Sequence, residues 1–271
     1  MPVSISETGL THSFSSLERE SHLAHFRAHS YVVLPDLLSP EWVATLNAAI
    51  DRDRKERPYF WGTASSNGTS NLLLTEPVFE DVVRHPVVLP LVETLMDGPI
   101  CFEELSVQIT PPSKQGRPTG WHRDRHHWLE HPLHLDYPQI IYYLSDVAEG
   151  NHHFTLSPEP ADGEVLDKEA QLVRGGSVPF YGKAGSGILF NAAILHGATI
   201  AQTEQERRIL QVYYGHLQRP PLAEVSLIPA RLWRNAPDPE VRRFYGKLNR
   251  YTTDMLHWMG APSPEPVAPT R

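Results

Sequence analysis

Residues 187–215 read GILFNAAILHGATIAQTEQERRILQVYYG. Three short apolar runs stand in this stretch, at 187–191, 194–200 and 207–215, with polar breaks between them. Each is short for a helix and carries β-branched or aromatic residues, so each is predicted as a strand. Similar runs lie upstream at 101–110, 139–145 and 152–156. Short strands punctuated by Gly and Pro predict an antiparallel sandwich or barrel. The 25 prolines fall mostly in clusters between apolar runs, which argues against a helical bundle.

Outside these runs the pattern is helical. Residues 16–29 carry Leu17, Leu23 and Phe26 as a weak helix stripe. Tyr31-Val32-Val33-Leu34 reads as a strand stopped by Pro35. Ser39-Pro40-Glu41 is a helix start, with an N-cap serine and a proline at the first helical position. The helix that follows places Trp42, Val43, Leu46 and Ile50 on one face. Residues 59–70, rich in Gly, Ser, Thr and Asn, read as a long loop and a candidate lid. Residues 78–96 predict one or two short helices broken at His85-Pro86. A final helix is expected over about 239–259, with residues 255–258 packed on the sheet. Residues 1–11 and 260–271 are expected to be flexible tails, and 1–271 a single domain with helical flanks.

Composition narrows the function. The chain has 271 residues, 40% apolar and 21% charged, which excludes a disordered or collagen-like protein. A net charge of −8 disfavours a nucleic-acid partner, which needs a basic face. Cys101 is the only cysteine, so no internal disulfide staples a secreted scaffold. No run approaches the ~18 apolar residues of a membrane span, and no secretory signal opens the sequence. The expected compartment is the cytoplasm and the expected partner a small molecule. No oligomeric state is specified.

Chemistry concentrates around His122, His126, His127, His131 and His134. Trp121-His122-Arg123-Asp124 is the sharpest motif. His122 and Asp124, two apart on an extended segment, point to the same side. A third ligand has to arrive from another strand, and Ile194-Leu195-His196-Gly197 offers His196, with Gly197 expected to let the backbone turn. Two His and one carboxylate on one face make the facial triad of non-haem Fe(II) oxygenases, which leaves coordination positions free. Arg207 and Arg208 open the next run, and one of them could clamp a carboxylate bidentately. Only one can point inward, because neighbours on a strand face opposite sides.

At this point the chain resembles the phytanoyl-CoA dioxygenase family of Fe(II)/2-oxoglutarate-dependent oxygenases, over roughly residues 26–215. The carriers are Phe26 to Pro35, Leu38-Ser39-Pro40-Glu41, the His122-Arg123-Asp124 motif, the run ending in His196-Gly197, and an arginine eleven residues on. That spacing favours Arg207. The resemblance implies a mainly β fold with flanking helices, a double-stranded β-helix (jelly-roll, cupin-like) barrel. It implies Fe(II) held by His122, Asp124 and His196, 2-oxoglutarate as co-substrate anchored by Arg207, and O2. It also implies oxidation of an unactivated C–H bond of a small organic substrate, with release of succinate and CO2. Asp124 argues for hydroxylation over halogenation, in which relatives carry a small residue at that place. Gln108, on the strand before the metal motif, is a further candidate for hydrogen bonding to the oxo acid. The family usually has Gln where Arg123 stands. It also has a Pro-Gly-Ser-His stretch where this chain reads Leu156-Ser157-Pro158-Glu159.

Other readings are softer. Trp121, Arg125, His126, His127 and Trp128 flank the motif, with His126 and His127 expected on a solvated loop. Cys101 reads as a buried filler. A catalytically silent jelly-roll that binds metal or ligand is the alternative function. A zinc hydrolase built on His122 and His126 lacks the Glu expected beside the first His.

Overall fold

The computed structural model describes residues 16–62 and 67–261. The expected tail at 1–11, residues 262–271 of the expected tail at 260–271, and residues 63–66 of the expected lid lie outside them. In chain order the elements are α1 (Ser16–His29), β1 (Tyr31–Leu34), α2 (Pro40–Glu56), β2 (Asn67–Thr69), α3 (Leu72–Thr75), α4 (Phe79–Val83), α5 (Val88–Met96), β3 (Ile100–Thr110), β4 (Pro138–Tyr143) and β5 (His153–Leu156). They continue with α6 (Lys168–Gly175), β6 (Val178–Phe180), β7 (Gly187–Asn191), β8 (His196–Thr199), β9 (Arg207–His216), α7 (Ala230–Trp233), α8 (Pro239–Tyr245) and α9 (Arg250–Trp258).

Two antiparallel sheets form. The larger has the order β1-β7-β4-β9-β3-β2 and the smaller β6-β5-β8. Bridges from Ser113 to Thr203, Arg117 to Ile200 and His122 to His196 lay the segment 113–122 along the free edge of β8. From β3 onward the chain passes back and forth between the two sheets, with β5 and β6 as successive members of the smaller one, the double-stranded β-helix arrangement of a jelly roll.

Alternation along the strands decides which residues meet. Ile141, Tyr143, Ile188, Phe190, Ile209 and Tyr213 of the large sheet pack against Phe154, Leu156 and Phe180 of the small one. Their neighbours Ile140, Tyr142, Leu189, Leu210, Val212 and Tyr214 face the other way, onto Val43, Leu46 and Ile50 of α2 and onto α5. Strands buried on both faces lose the apolar–polar alternation, which is why β4 reads as a continuous apolar run. Helix α2 starts as its sequence predicts: Ser39 Oγ accepts from Trp42 N–H (3.3 Å), with Pro40 at the first position. Leu46 is fully buried, and its truncation to Ala should cost about 2–5 kcal/mol.

Three expectations are corrected. The final helix is two helices, because Asn249 caps a new one by accepting from Thr252 N–H (2.9 Å) after a break at Gly246. Trp258 and Met259 at its end are exposed, so the sheet does not receive them. Much of the expected lid is ordered structure: Pro58–Phe60 forms a 3-10 turn and Asn67–Thr69 pairs with β3. Helix α6 and strand β6 had no strong periodic signal. Among the described residues no helix is long and apolar enough to cross a membrane.

Candidate active site

The sequence separates His122 and Asp124 from His196 by more than seventy positions, and the fold brings them together. Their ligand atoms lie within 4.8 Å of one another. The bridge between His122 and His196, with a backbone hydrogen bond in each direction at 3.0 Å, sets the two imidazoles side by side at 4.4 Å between ring centroids. Gly197 serves close approach here, not a turn. A Cβ on it would come within 2.6 Å of the Gly120 carbonyl oxygen, so only glycine lets the segment 113–122 lie against β8. Asp124 is fixed by its own N–H donating to Ala192 O (3.0 Å).

The imidazoles are oriented by backbone. His122 Nδ1–H donates to Gly120 O (2.7 Å) and His196 Nδ1–H to Ile194 O (2.9 Å). Both Nε2 atoms are thereby left to face Asp124, at 3.3 Å from Oδ1 and 3.6 Å from Oδ2. Burial pushes the Asp124 carboxyl up, but hydrogen bonds and charge from the two histidines outweigh it and hold it well below the usual carboxylate range. His122 is raised, chiefly by its hydrogen bond to Asp124. A divalent metal ion would take the place of the Nε2 protons in these bonds, and two imidazole nitrogens with one readily ionised carboxylate are a donor set that fits it. Tyr213 O–H donates to Asp124 Oδ2 (3.4 Å), and Phe154 and Phe190 pack on the His196 ring.

Arg207 and Arg208 diverge as strand alternation requires. Arg208 points out to Asp51 (2.8 Å), Glu206 (2.7 Å) and Asn47 (3.3 Å). Arg207 points into the interior and is 3% exposed. Its Nη2 donates to Thr110 Oγ1 (3.3 Å), while Nε and Nη1 have no partner. Burial lowers its pKa, partly offset by Tyr143 nearby. A buried guanidinium with two unpaired donors is costly unless an anion completes it, and the fork fits a carboxylate.

A cavity of about 480 Å3 opens beside β3; Glu104, Ser106 and Gln108 of that strand line it together with Ser70, Asn71 and Glu224. Gln108 sits opposite Ile209, two register pairs from the Thr110–Arg207 pair. Its side chain therefore faces the same interior as Arg207.

A family model for phytanoyl-CoA dioxygenase matches residues 26–209. The chain belongs to the phytanoyl-CoA dioxygenase family. It is a non-haem Fe(II)- and 2-oxoglutarate-dependent dioxygenase. No curated protein sequence matches it. Solved structures share the fold. EctD from S. alaskensis with bound Fe has a TM-score of 0.62 at 21% identity, covering 85% of this chain and 87% of that one. The 2-oxoglutarate-dependent epimerase SnoN of nogalamycin biosynthesis has 0.61 at 20%, covering 75% and 85%. HygX from Streptomyces hygroscopicus, with nickel, 2-oxoglutarate and hygromycin B bound, has 0.55 at 19%, covering 72% and 86%.

The family's usual pattern is altered at two places, and the structure joins them. Arg123, between the two ligand candidates, turns away from the site and donates to Glu159 (2.9 and 3.3 Å), Ala193 O (2.5 Å) and Leu166 O (3.3 Å). Glu159 is 3% exposed and is also held by His127 Nε2 (2.7 Å). Burial raises its carboxyl and His127 and Arg123 outweigh this, for a net downward shift. His127 is thus an inward strut and not a solvated loop residue, whereas His126 is exposed. His131 is a core residue that donates to Met96 O (3.0 Å). Cys101 is buried, and desolvation pushes its thiol up to about 12, as a filler should show. Sequence reasoning missed Tyr213, Glu104 and Gln139. Counting by twos from Arg207 reaches Tyr213, and counting back by twos from Gln108 reaches Glu104, so the signal was present.

Proposed function

We propose that the protein hydroxylates an unactivated C–H bond of a small organic molecule, converting 2-oxoglutarate to succinate and CO2. The observation that carries this reading is the pair of unpaired donors on buried Arg207, in the same interior as the His122–Asp124–His196 cluster. His122 and His196, through Nε2, and Asp124 would hold the iron. Arg207 and Thr110 would take the far carboxylate of the oxo acid, with Gln108 as a further hydrogen-bond partner. When bound, iron and oxo acid supply the oxidising power, and the protein supplies binding and orientation.

What the chain itself does follows from its contacts. The Nδ1–H bonds to Gly120 O and Ile194 O keep Nε2 unprotonated for a metal. Phe154 and Phe190 keep water from the His196 side. Tyr213 steadies Asp124, and the Arg123–Glu159 pair clamps the backbone between the two neighbouring ligands from behind. Asp124 fills the place that a halide would need, which favours hydroxylation. The small-molecule substrate is supported by HygX and SnoN, whose structures hold hygromycin B and nogalamycin RO. A natural-product intermediate is the class we favour. We place the enzyme in the cytoplasm and treat residues 1–271 as one oxygenase unit.

The test is anaerobic. Fe(II) and then 2-oxoglutarate are added to purified apoprotein, and the metal-to-ligand charge-transfer band of the chelate is recorded. The band is expected in the wild type, lost in His122→Ala and weakened in Arg207→Ala. No band in folded, iron-loaded protein overturns the reading.

A further inference from the structure

Glu103 and Glu104 are neighbours on β3 with opposite fates. Glu103 is buried and fully used: Lys247 Nζ pairs with it (2.6 Å), and the N–H groups of Leu222 (2.8 Å) and Ala223 (3.1 Å) donate to it. Glu104 faces the interior cavity, and its one hydrogen bond is a long one from Ser70 Oγ (3.5 Å). Among the described residues it forms no ion pair, and no Lys or Arg lines the cavity. In register it lies opposite Tyr213, and Tyr213 lies opposite Gln139. One row across β4, β9 and β3 thus runs from Gln139 through Tyr213, which holds Asp124, to Glu104.

Two buried polar groups in this region also lack partners. Both polar atoms of the Gln139 amide are unpaired, and so is the hydroxyl of Tyr137, whose ring stacks on Tyr213 at 4.7 Å. Tyr137 is 3% exposed, and after burial the Glu104 charge acts on it most strongly. This end of the interior is built to receive something polar.

Charge balance says what. Resting on the proposed function, a dication, the Asp124 carboxylate, an oxo-acid dianion and the Arg207 guanidinium cancel one another. When ionised, Glu104 is left without a counter-charge, and Glu224 is a second carboxylate in the lining of the same cavity. We propose that Glu104 anchors the primary substrate by a protonated amine, so that this oxygenase selects cationic small molecules and holds the ammonium beside the metal. In the metal-free protein, burial first and the Asp124 charge second push the Glu104 carboxyl up to about 7, so a cation beside it would draw it into its charged form. Ser70, Ser106 and Gln108 give the rest of such a substrate hydrogen-bond partners along the same wall.

The test uses a matched pair of probes, cyclohexylamine and cyclohexanol, titrated into the full chain loaded with Ni(II) and 2-oxoglutarate. Binding is read calorimetrically. The amine is expected to bind at least ten-fold more tightly, and Glu104→Gln to abolish that preference, with Glu224→Gln reducing it less. The Glu104→Gln protein must show the wild-type melting temperature and oxo-acid affinity. Equal affinity for both probes, binding of neither, or a preference that survives Glu104→Gln, as direct coordination of the amine to nickel would, overturns the proposal. Failure of the functional reading looks different, because there the oxo acid itself fails to bind to metal-loaded protein.

Discussion

The two ends of the barrel interior carry opposite charges in opposite settings. Arg207 and Tyr213 are six residues apart on β9, about 20 Å along the strand. At the first end Arg207 is enclosed, 3% exposed, with two donors unpaired in a space closed by Thr110 and Tyr143. At the second, Glu104 looks into an open cavity of about 480 Å3. A closed cationic end suits one small anion of fixed shape, which every turnover shares. An open acidic end suits a molecule that differs from one relative to the next. The fold thus separates anchoring of the shared co-substrate from recognition of the variable molecule, with Tyr213 tying the His–Asp–His cluster to the row that ends in Glu104.

The largest effect expected is at the cluster. Loss of a partner that only orients a ligand costs about 10–100-fold in metal affinity. Asp124→Ala should therefore lower metal affinity more than ~100-fold, measured by titration with a chromophoric chelator competitor. Metal binding that survives would break the comparison at its centre. Next is the closed end. Hydrogen bonds to charged groups are worth about 1.5–3 kcal/mol each, so Arg207→Met should weaken 2-oxoglutarate binding by about a hundredfold or more. The same change should not lower the melting temperature of the apoprotein, because it removes a buried charge with unpaired donors. Calorimetry and a thermal melt read the two halves separately.

Behind the metal motif, Glu159→Ala strands Arg123 and His127 and should cost about 3 kcal/mol of stability in denaturant unfolding. The pH dependence has a definite sign. The Glu159 carboxyl is held below its ordinary 4.5 in the folded state. Its contribution is present above that value and is lost as pH falls through the lower folded value. Wild-type stability should thus fall on acidification below about 4.5, and Glu159→Gln should flatten that fall. The smallest effect is at Tyr213, whose hydrogen bond to Asp124 is long at 3.4 Å. Tyr213→Phe should change metal affinity by less than ~1 kcal/mol, a few-fold at most. A larger loss would make Tyr213 part of the metal-binding machinery and not a steadying neighbour.

These two ends also differ in how far the sequence discloses them. The six predicted runs from residue 101 onward all form strands, since apolar clustering and turn residues are local signals. The grouping of His122, Asp124 and His196 is legible because a facial triad demands particular residue types at a particular spacing, and the fold brings these three together. Arg207 is told from Arg208 by the spacing that the family resemblance supplies, since alternation alone assigns opposite faces but not which is inside. The open end was barely legible. Glu104 looks like its neighbour Glu103 until Lys247, 144 positions away by the numbering, claims one and not the other. The Arg123–Glu159 pair was read only as a departure from a family pattern, because two changes that compensate each other in space are 36 positions apart in sequence. The split of the last helix turned on a single cap, Asn249, in a polar stretch that periodicity overran.

The most direct test is a crystal structure of the full chain grown anaerobically with Ni(II) and 2-oxoglutarate. The metal is expected between His122 Nε2, His196 Nε2 and Asp124. The far carboxylate of the oxo acid is expected on Nε and Nη1 of Arg207, and the Glu104 end should remain open. An oxo acid seated in the Glu104 cavity, or Arg207 still unpaired with the metal in place, would contradict the account.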